Sequence, residues 1–162
     1  MTSEAPIRLL VLATSMEYQG SSLGKDEIRS ILEIRWGLEH LAIKKAVESA
    51  SDDDIADLGK LLEALSIAGT PEDAAAAAFA YQRRLSFIGG NSVLPLIYSS
   101  FKAPVITLWI RFCRLYSIQA LYNNTKELYS YIARRDLDGA LKWVDKYLSE
   151  AIEGTQQIYV EK

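Results

Sequence analysis

Two arginines stand three residues apart in an aromatic run, Trp109-Ile-Arg-Phe-Cys-Arg-Leu-Tyr116. On a helix Arg111 and Arg114 share one face, and a guanidinium fork suits bidentate capture of a carboxylate or phosphate. Two other accounts of the same pair stay open: an internal ion pair with Glu33 or Glu39, or a solvated edge. Tyr122, Tyr129, Tyr131 and Tyr147 can turn phenol hydroxyls into a pocket or bury their rings and leave the hydroxyls wet. Asp52-Asp53-Asp54 reads as a stabiliser of a helix start and not as a cation site, because adjacent acids there splay outward toward the positive end of the dipole.

Enzyme chemistry finds little footing. Cys113 is the single cysteine and His40 the single histidine. They are far apart in sequence, so a thiol nucleophile with a nearby base is not indicated, and Cys113 reads as a small core residue. His40 reads as a surface or boundary residue. Glu33 and Glu39 have no spacing that argues for acid–base work, and no Gly-rich phosphate loop or cluster of metal ligands is visible. No catalytic residue, cofactor or metal is expected.

The elements that must position these groups are helical. Proline and glycine are scarce, with 4 and 9 residues, and alternation of β-branched residues is nearly absent. After an apolar stretch at 7–16 and a loop at 18–24, a long helix is expected over 26–49. Its stripe would be Ile31, Ile34, Leu38, Leu41 and Ala42, at three- and four-residue spacing. Ser51 followed by three aspartates opens a second helix that stops at Gly69. Thr70-Pro71-Glu72-Asp73 opens a third, with Thr at the cap and Pro at the first helical position. This helix carries Ala74 through Ala78, so either backbones approach closely there or a cavity borders it, and it ends near Phe87. After Gly89-Gly90, Asn91 is expected to cap a helix reaching about Lys102, which Pro104 breaks. A central apolar helix is expected over 105–122, another opening at Asn123-Asn124-Thr125, and a last one capped by Asp136 with Leu137, Leu141, Val144, Leu148 and Ile152 as its stripe. The fold class is all-α, an antiparallel bundle of about seven helices forming a single domain over 1–162.

Composition narrows the partners. The formal net charge is −3 at pH 7, and the arginine pairs do not form a recognition-helix pattern, so the chain by itself is not expected to read DNA. No apolar run approaches the roughly 20 residues that span a bilayer, and residues 1–6 carry no basic n-region, so no membrane partner or secretory signal is expected. The lone cysteine agrees with a reducing compartment, and a cytoplasmic location is the expectation.

The corner Leu85-Ser-Phe-Ile-Gly-Gly-Asn91, the early helix segment Glu33-Ile-Arg-Trp-Gly-Leu-Glu39 and the late hairpin Ile132-Ala-Arg-Arg-Asp136 occur in an order and spacing similar to those of GntR-type transcription regulators. The resemblance is to their FadR-like C-terminal effector-binding domain over nearly the whole chain. It implies an effector-binding and dimerising domain, with DNA contacted only through a winged helix-turn-helix that is not among these 162 residues. Many relatives hold a divalent metal through an Asp and three His. The resemblance puts Ala78, Gln82, Thr125 and Tyr147 at those positions, none of them a good ligand, and so implies the metal-free, fatty-acid-responsive branch.

A small-molecule effector, with long-chain acyl-CoA as the candidate, would then lie in the bundle. Phe79, Tyr81, Leu85, Tyr98, Phe101, Trp109, Phe112, Tyr116 and Tyr147 would line its tunnel, and Arg83, Arg84, Arg111 and Arg114 would meet its anionic end. The ligand set expected on this basis is Tyr81, Arg84, Tyr98, Arg111, Arg114, Tyr147 and Ala151. On the last helix the acyl-CoA-binding members carry Tyr-Gly, then a Ser and a Trp. Here Tyr147 is kept, but Leu148, Ala151 and Thr155 stand at the other positions. The alternatives are a sensor of a small organic acid that uses arginines in place of a metal, and a helical dimerisation module with no ligand.

Overall fold

A computed structural model describes residues 24–153 and 157 of the chain. The apolar stretch 7–16 and nearly all of the loop at 18–24 lie outside these residues. Seven helices make up the described part: α1 (Lys25–Ser49), α2 (Asp52–Ser66), α3 (Pro71–Phe87), α4 (Leu94–Ser100), α5 (Lys102–Tyr116), α6 (Ile118–Ala133) and α7 (Leu137–Ile152). Among the described residues, no helix is long and apolar enough to cross a membrane.

Local chemistry sets most of the boundaries. Ser51 Oγ accepts from the Asp54 N–H at 3.1 Å while the Ser51 N–H donates to Asp54 Oδ2 at 2.9 Å, a reciprocal capping box that satisfies two otherwise orphaned donors. Thr70 Oγ1 accepts from the Asp73 N–H at 3.1 Å, with Pro71 at the first helical position of α3. Asp136 Oδ1 accepts from the Gly139 N–H at 2.9 Å and starts α7. Asn91 Oδ1 accepts from the N–H groups of Val93 and Leu94 at 3.0 and 3.1 Å and so organises the entry to the short α4. Ahead of it Gly89 has φ +92°. A Cβ there would lie 2.7 Å from Lys45 Cβ on α1, so both the conformation and the close approach require glycine.

α3 runs through the middle, packed chiefly against α5 and α2, while α1 lies along α7. Ala74, Ala75 and Ala78 of the alanine run are buried, and their small side chains let neighbouring helices approach that face of α3.

Three expectations are corrected. First, α1 is rotated relative to the expected stripe: Ile34 and Leu41 are 52% and 39% exposed, and the buried face is instead Ile28, Ile31, Leu32, Arg35, Glu39, Ala42, Ile43 and Ala46. Two charged residues can occupy that face because they neutralise each other one turn apart. Second, Pro104 does not break a helix. It sits in the first turn of α5, where a missing N–H costs nothing, and the break falls at Phe101. Third, the helix expected over 105–122 is interrupted at Ser117, which takes φ +107°, rare for a residue with a Cβ. Ser117 Oγ accepts from the Ala120 N–H at 3.1 Å and restarts the chain as α6. Asn123, Asn124 and Thr125 therefore lie inside α6 and do not open it.

Candidate functional site

Five helices converge on one chamber, and the phase of each decides what it contributes. α1 brings Arg35 and α3 brings Gln82. The interruption at Ser117 turns α6 so that Leu121, Asn124, Thr125 and Leu128 share an inward face. α5 supplies Trp109 and Phe112, and α7 supplies Tyr147, Leu148 and Ala151. The chamber is partly open to the surface and its volume is about 30 Å³, room for roughly two water molecules.

A buried ionic network forms one wall. Arg35 Nε donates to Glu39 Oε1 at 2.9 Å and Arg35 Nη2 lies 2.8 Å from the same oxygen. Tyr147 donates its hydroxyl to the other oxygen, Glu39 Oε2. Glu39 is 0% exposed, so both of its oxygens are satisfied within the protein, as a buried carboxylate requires. The Arg35 guanidinium also lies 4.6 Å from the centroid of the Trp109 ring and 5.8 Å from that of Tyr147, within cation–π range.

Burial opposes the charge on Arg35, but Glu39, with Tyr147 beside it, holds the guanidinium above its ordinary pKa. Burial, reinforced by the negative charge of Glu39, pushes the Tyr147 hydroxyl well above the usual phenol range. It therefore stays a proton donor at neutral pH. Tyr98 is raised in the same way, by burial first and Glu39 second. Tyr81 is raised by burial, then by Tyr129 and Glu39.

Three buried polar atoms lack hydrogen-bond partners among the described residues: the hydroxyls of Tyr81 and Tyr98 and Oε1 of Gln82. Gln82 is itself part of the chamber wall. Thr125 turns its hydroxyl back onto the Leu121 carbonyl at 2.9 Å, leaving the oxygen's lone pairs available.

The seven expected ligand residues are distributed unequally. Tyr147 and Ala151 line the chamber. Tyr81 and Tyr98 are buried, close enough to Glu39 to feel its charge, but do not line the chamber itself. Arg84 is drawn to α2, with Nη2 2.6 Å from Asp54 and 3.3 Å from Asp57. Arg114 is exposed and pairs with Glu72 at 2.7 Å. Arg111 is half-buried and outside the lining. The carboxylates weighed as partners for Arg111 and Arg114 are engaged elsewhere, Glu39 by Arg35 and Glu33 by Arg29 at 3.5 Å.

The arginine at the chamber is Arg35, which the expected ligand set lacks. Its signal was present: with apolar residues at 28, 31, 32, 42, 43 and 46, positions 35 and 39 fall on the inward phase of α1.

Of the four positions that resemble the metal-ligand set, Gln82, Thr125 and Tyr147 line the chamber and Ala78 is buried one turn from Gln82. An amide, a hydroxyl, a phenol and a methyl group do not fit a divalent ion. Among the described residues, no group of three or more His, Cys, Asp or Glu converges. Cys113 is buried, and burial, with Glu72 second, pushes its thiol up to about 11. His40 is half-buried, its Nε2 2.6 Å from Asp145 Oδ1, and Trp36 donates to the same oxygen at 2.7 Å. This contact ties α1 to α7, away from the chamber.

No curated protein and no solved structure matches the chain significantly. A family model described as FCD domain does match, over residues 30–150, a span that takes in every residue of the chamber except Ala151. With that match covering most of an all-α bundle, the chain belongs to the FCD domain family, the ligand-binding domains of GntR-type regulators.

Proposed function

We propose that this domain senses a compact organic effector, which binds in the chamber with an oxygen acceptor against Arg35. The observation that carries the reading is the disposition of Arg35. Two of its N–H groups go to Glu39, and a guanidinium has five. The remaining donors are what a guest in that chamber would meet. Gln82 and Thr125 supply polar contacts on a second side, and Trp109, Phe112 and Leu148 an apolar one, the mixture typical of small-molecule sites.

A long-chain acyl-CoA fits this reading poorly. Ligand pockets usually start near about 300 Å³, so the chamber would have to open roughly tenfold for an acyl chain. Occupancy would favour one packing of α1, α3, α6 and α7 over another and so bias the DNA-binding part of the regulator. Native mass spectrometry of the purified domain, with thermal melting before and after removal of small molecules, tests the reading. A co-purified small organic molecule whose removal lowers the melting temperature is expected. A ligand at 100 times its Kd contributes about 2.7 kcal/mol, enough for a clear shift. A domain that carries no guest and melts unchanged in the presence of organic acids, alcohols and amides would favour the dimerisation module.

Homodimerisation has support of its own. Ile34 and Leu41 are exposed seven residues apart on the outward face of α1, with half-buried Leu38 between them, the kind of apolar stripe that marks an interface. Sedimentation of Ile34→Glu with Leu41→Glu, expected to be monomeric, tests it.

A further inference from the structure

We propose that the chamber selects a guest whose end facing Arg35 carries no net charge, such as an amide, ketone or hydroxyl oxygen, and discriminates against a free carboxylate. The inference rests on the sensing role proposed above and concerns the class of molecule sensed. Arg35 is the positively charged group in the chamber wall, and Glu39 already neutralises it through Nε and Nη2. The pair cannot separate cheaply, because Glu39 is wholly buried and its second oxygen is held by Tyr147.

The remaining polar wall groups are neutral: the amides of Gln82 and Asn124, the hydroxyl of Thr125 and the phenol of Tyr147. Tyr98 and Tyr81, the other titratable groups that feel Glu39, are held as neutral phenols by burial. A carboxylate entering here would bring a second negative charge close to Glu39 with no second cation to meet it, in a medium where an uncompensated charge is costly. A neutral oxygen takes the Arg35 N–H groups that have no acceptor among the described residues without that cost. Gln82 Oε1, without a partner among the described residues, adds an acceptor that suits an N–H or O–H donor on the guest, a pairing that an amide or alcohol offers and a carboxylate lacks.

Formamide and formate, isosteric and small enough for a chamber of this size, test the idea on the full chain by two-dimensional NMR. The readouts are the Arg35 Nε–H and the side-chain amides of Gln82 and Asn124, with sodium chloride matching the ionic strength. In the wild type, formamide is expected to shift these signals in a saturable way and formate to bind at least about tenfold more weakly. Glu39→Gln, which frees the guanidinium charge, should reverse the order. Asn124→Lys, which adds a second cation at a half-buried wall position and leaves the Arg35–Glu39 pair intact, should likewise narrow or reverse the preference and serves if Glu39→Gln does not fold. Formate binding the wild type as well as formamide does would overturn the charge inference and leave the sensing role standing. If neither probe perturbs the chamber, the sensing role fails with it.

Discussion

Arg35–Glu39 and Arg84–Asp54 are the same chemical pair in two settings. The first is enclosed among α1, α5 and α7 and closed by Tyr147. The second joins α3 to the N-terminus of α2, with both side chains more than a quarter exposed. At the surface, water and salt screen the attraction, and such pairs are worth about 0–1 kcal/mol. In the interior the pair is no guarantee of net stability, since desolvation offsets the attraction, yet breaking it strands a charge. The contrast also separates roles. Arg84 organises a helix start by reinforcing the Ser51–Asp54 cap, whereas Arg35 lines a chamber. Arginine in a helical bundle is thus a poor guide to ligand contact until its carboxylate partner and its depth are known.

The strongest way to break the comparison is Glu39→Ala. It leaves Arg35 buried and unpaired and should cost about 3–5 kcal/mol in urea unfolding. Replacing the whole network, Arg35→Met with Glu39→Leu and Tyr147→Phe so that no buried donor is stranded, should be close to neutral by the same measurement while removing any polar guest binding. A triple variant as unstable as the single one would show that the network contributes more than charge balance.

Tyr147→Phe removes one donor from Glu39 and should cost about 1–3 kcal/mol.

Asp54→Asn tests the surface pair. Losing half the capping box and the contact to Arg84 should cost about 1 kcal/mol at neutral pH. The hydrogen bond from the Ser51 N–H, and then that from Arg84, hold Asp54 below the usual carboxylate pKa. A lowered folded value stabilises above the unfolded value near about 3.9, and that contribution disappears as pH falls through the folded value. The gap between Asp54→Asn and wild type should therefore be full above about pH 4 and close below it. Equal gaps at pH 7 and pH 2.5 would remove the electrostatic part of the account.

Arg114→Ala should be the smallest effect. Its ion pair with Glu72 is exposed on both sides, so a change within about 0.5 kcal/mol and an unaltered guest response are expected. A lost response would return Arg114 to the ligand site.

Much of the helix framework was legible because capping is local. Ser51, Thr70 and Asp136 each bond a backbone N–H three residues on, and that geometry follows from residue types alone. Ser117 was not legible, since a serine at positive φ has no sequence signature like that of glycine. The break at Ser117 places Asn124 and Thr125 in the chamber wall and not at a helix start. The inward phase of α1 follows the apolar residues at 28, 31, 32, 42, 43 and 46, but an arginine and a glutamate enter that face only because they pair with each other.

By itself, then, the sequence determined that the chain is all-helical and where most helices begin, because each follows from residue type within a few positions. Tertiary structure decided which arginine reaches the chamber and how large that chamber is. Those depend on the rotation of α1 against α7 and of α6 beyond Ser117, and contacts across more than a hundred residues of chain, such as Tyr147 to Glu39, come into being only when the helices pack.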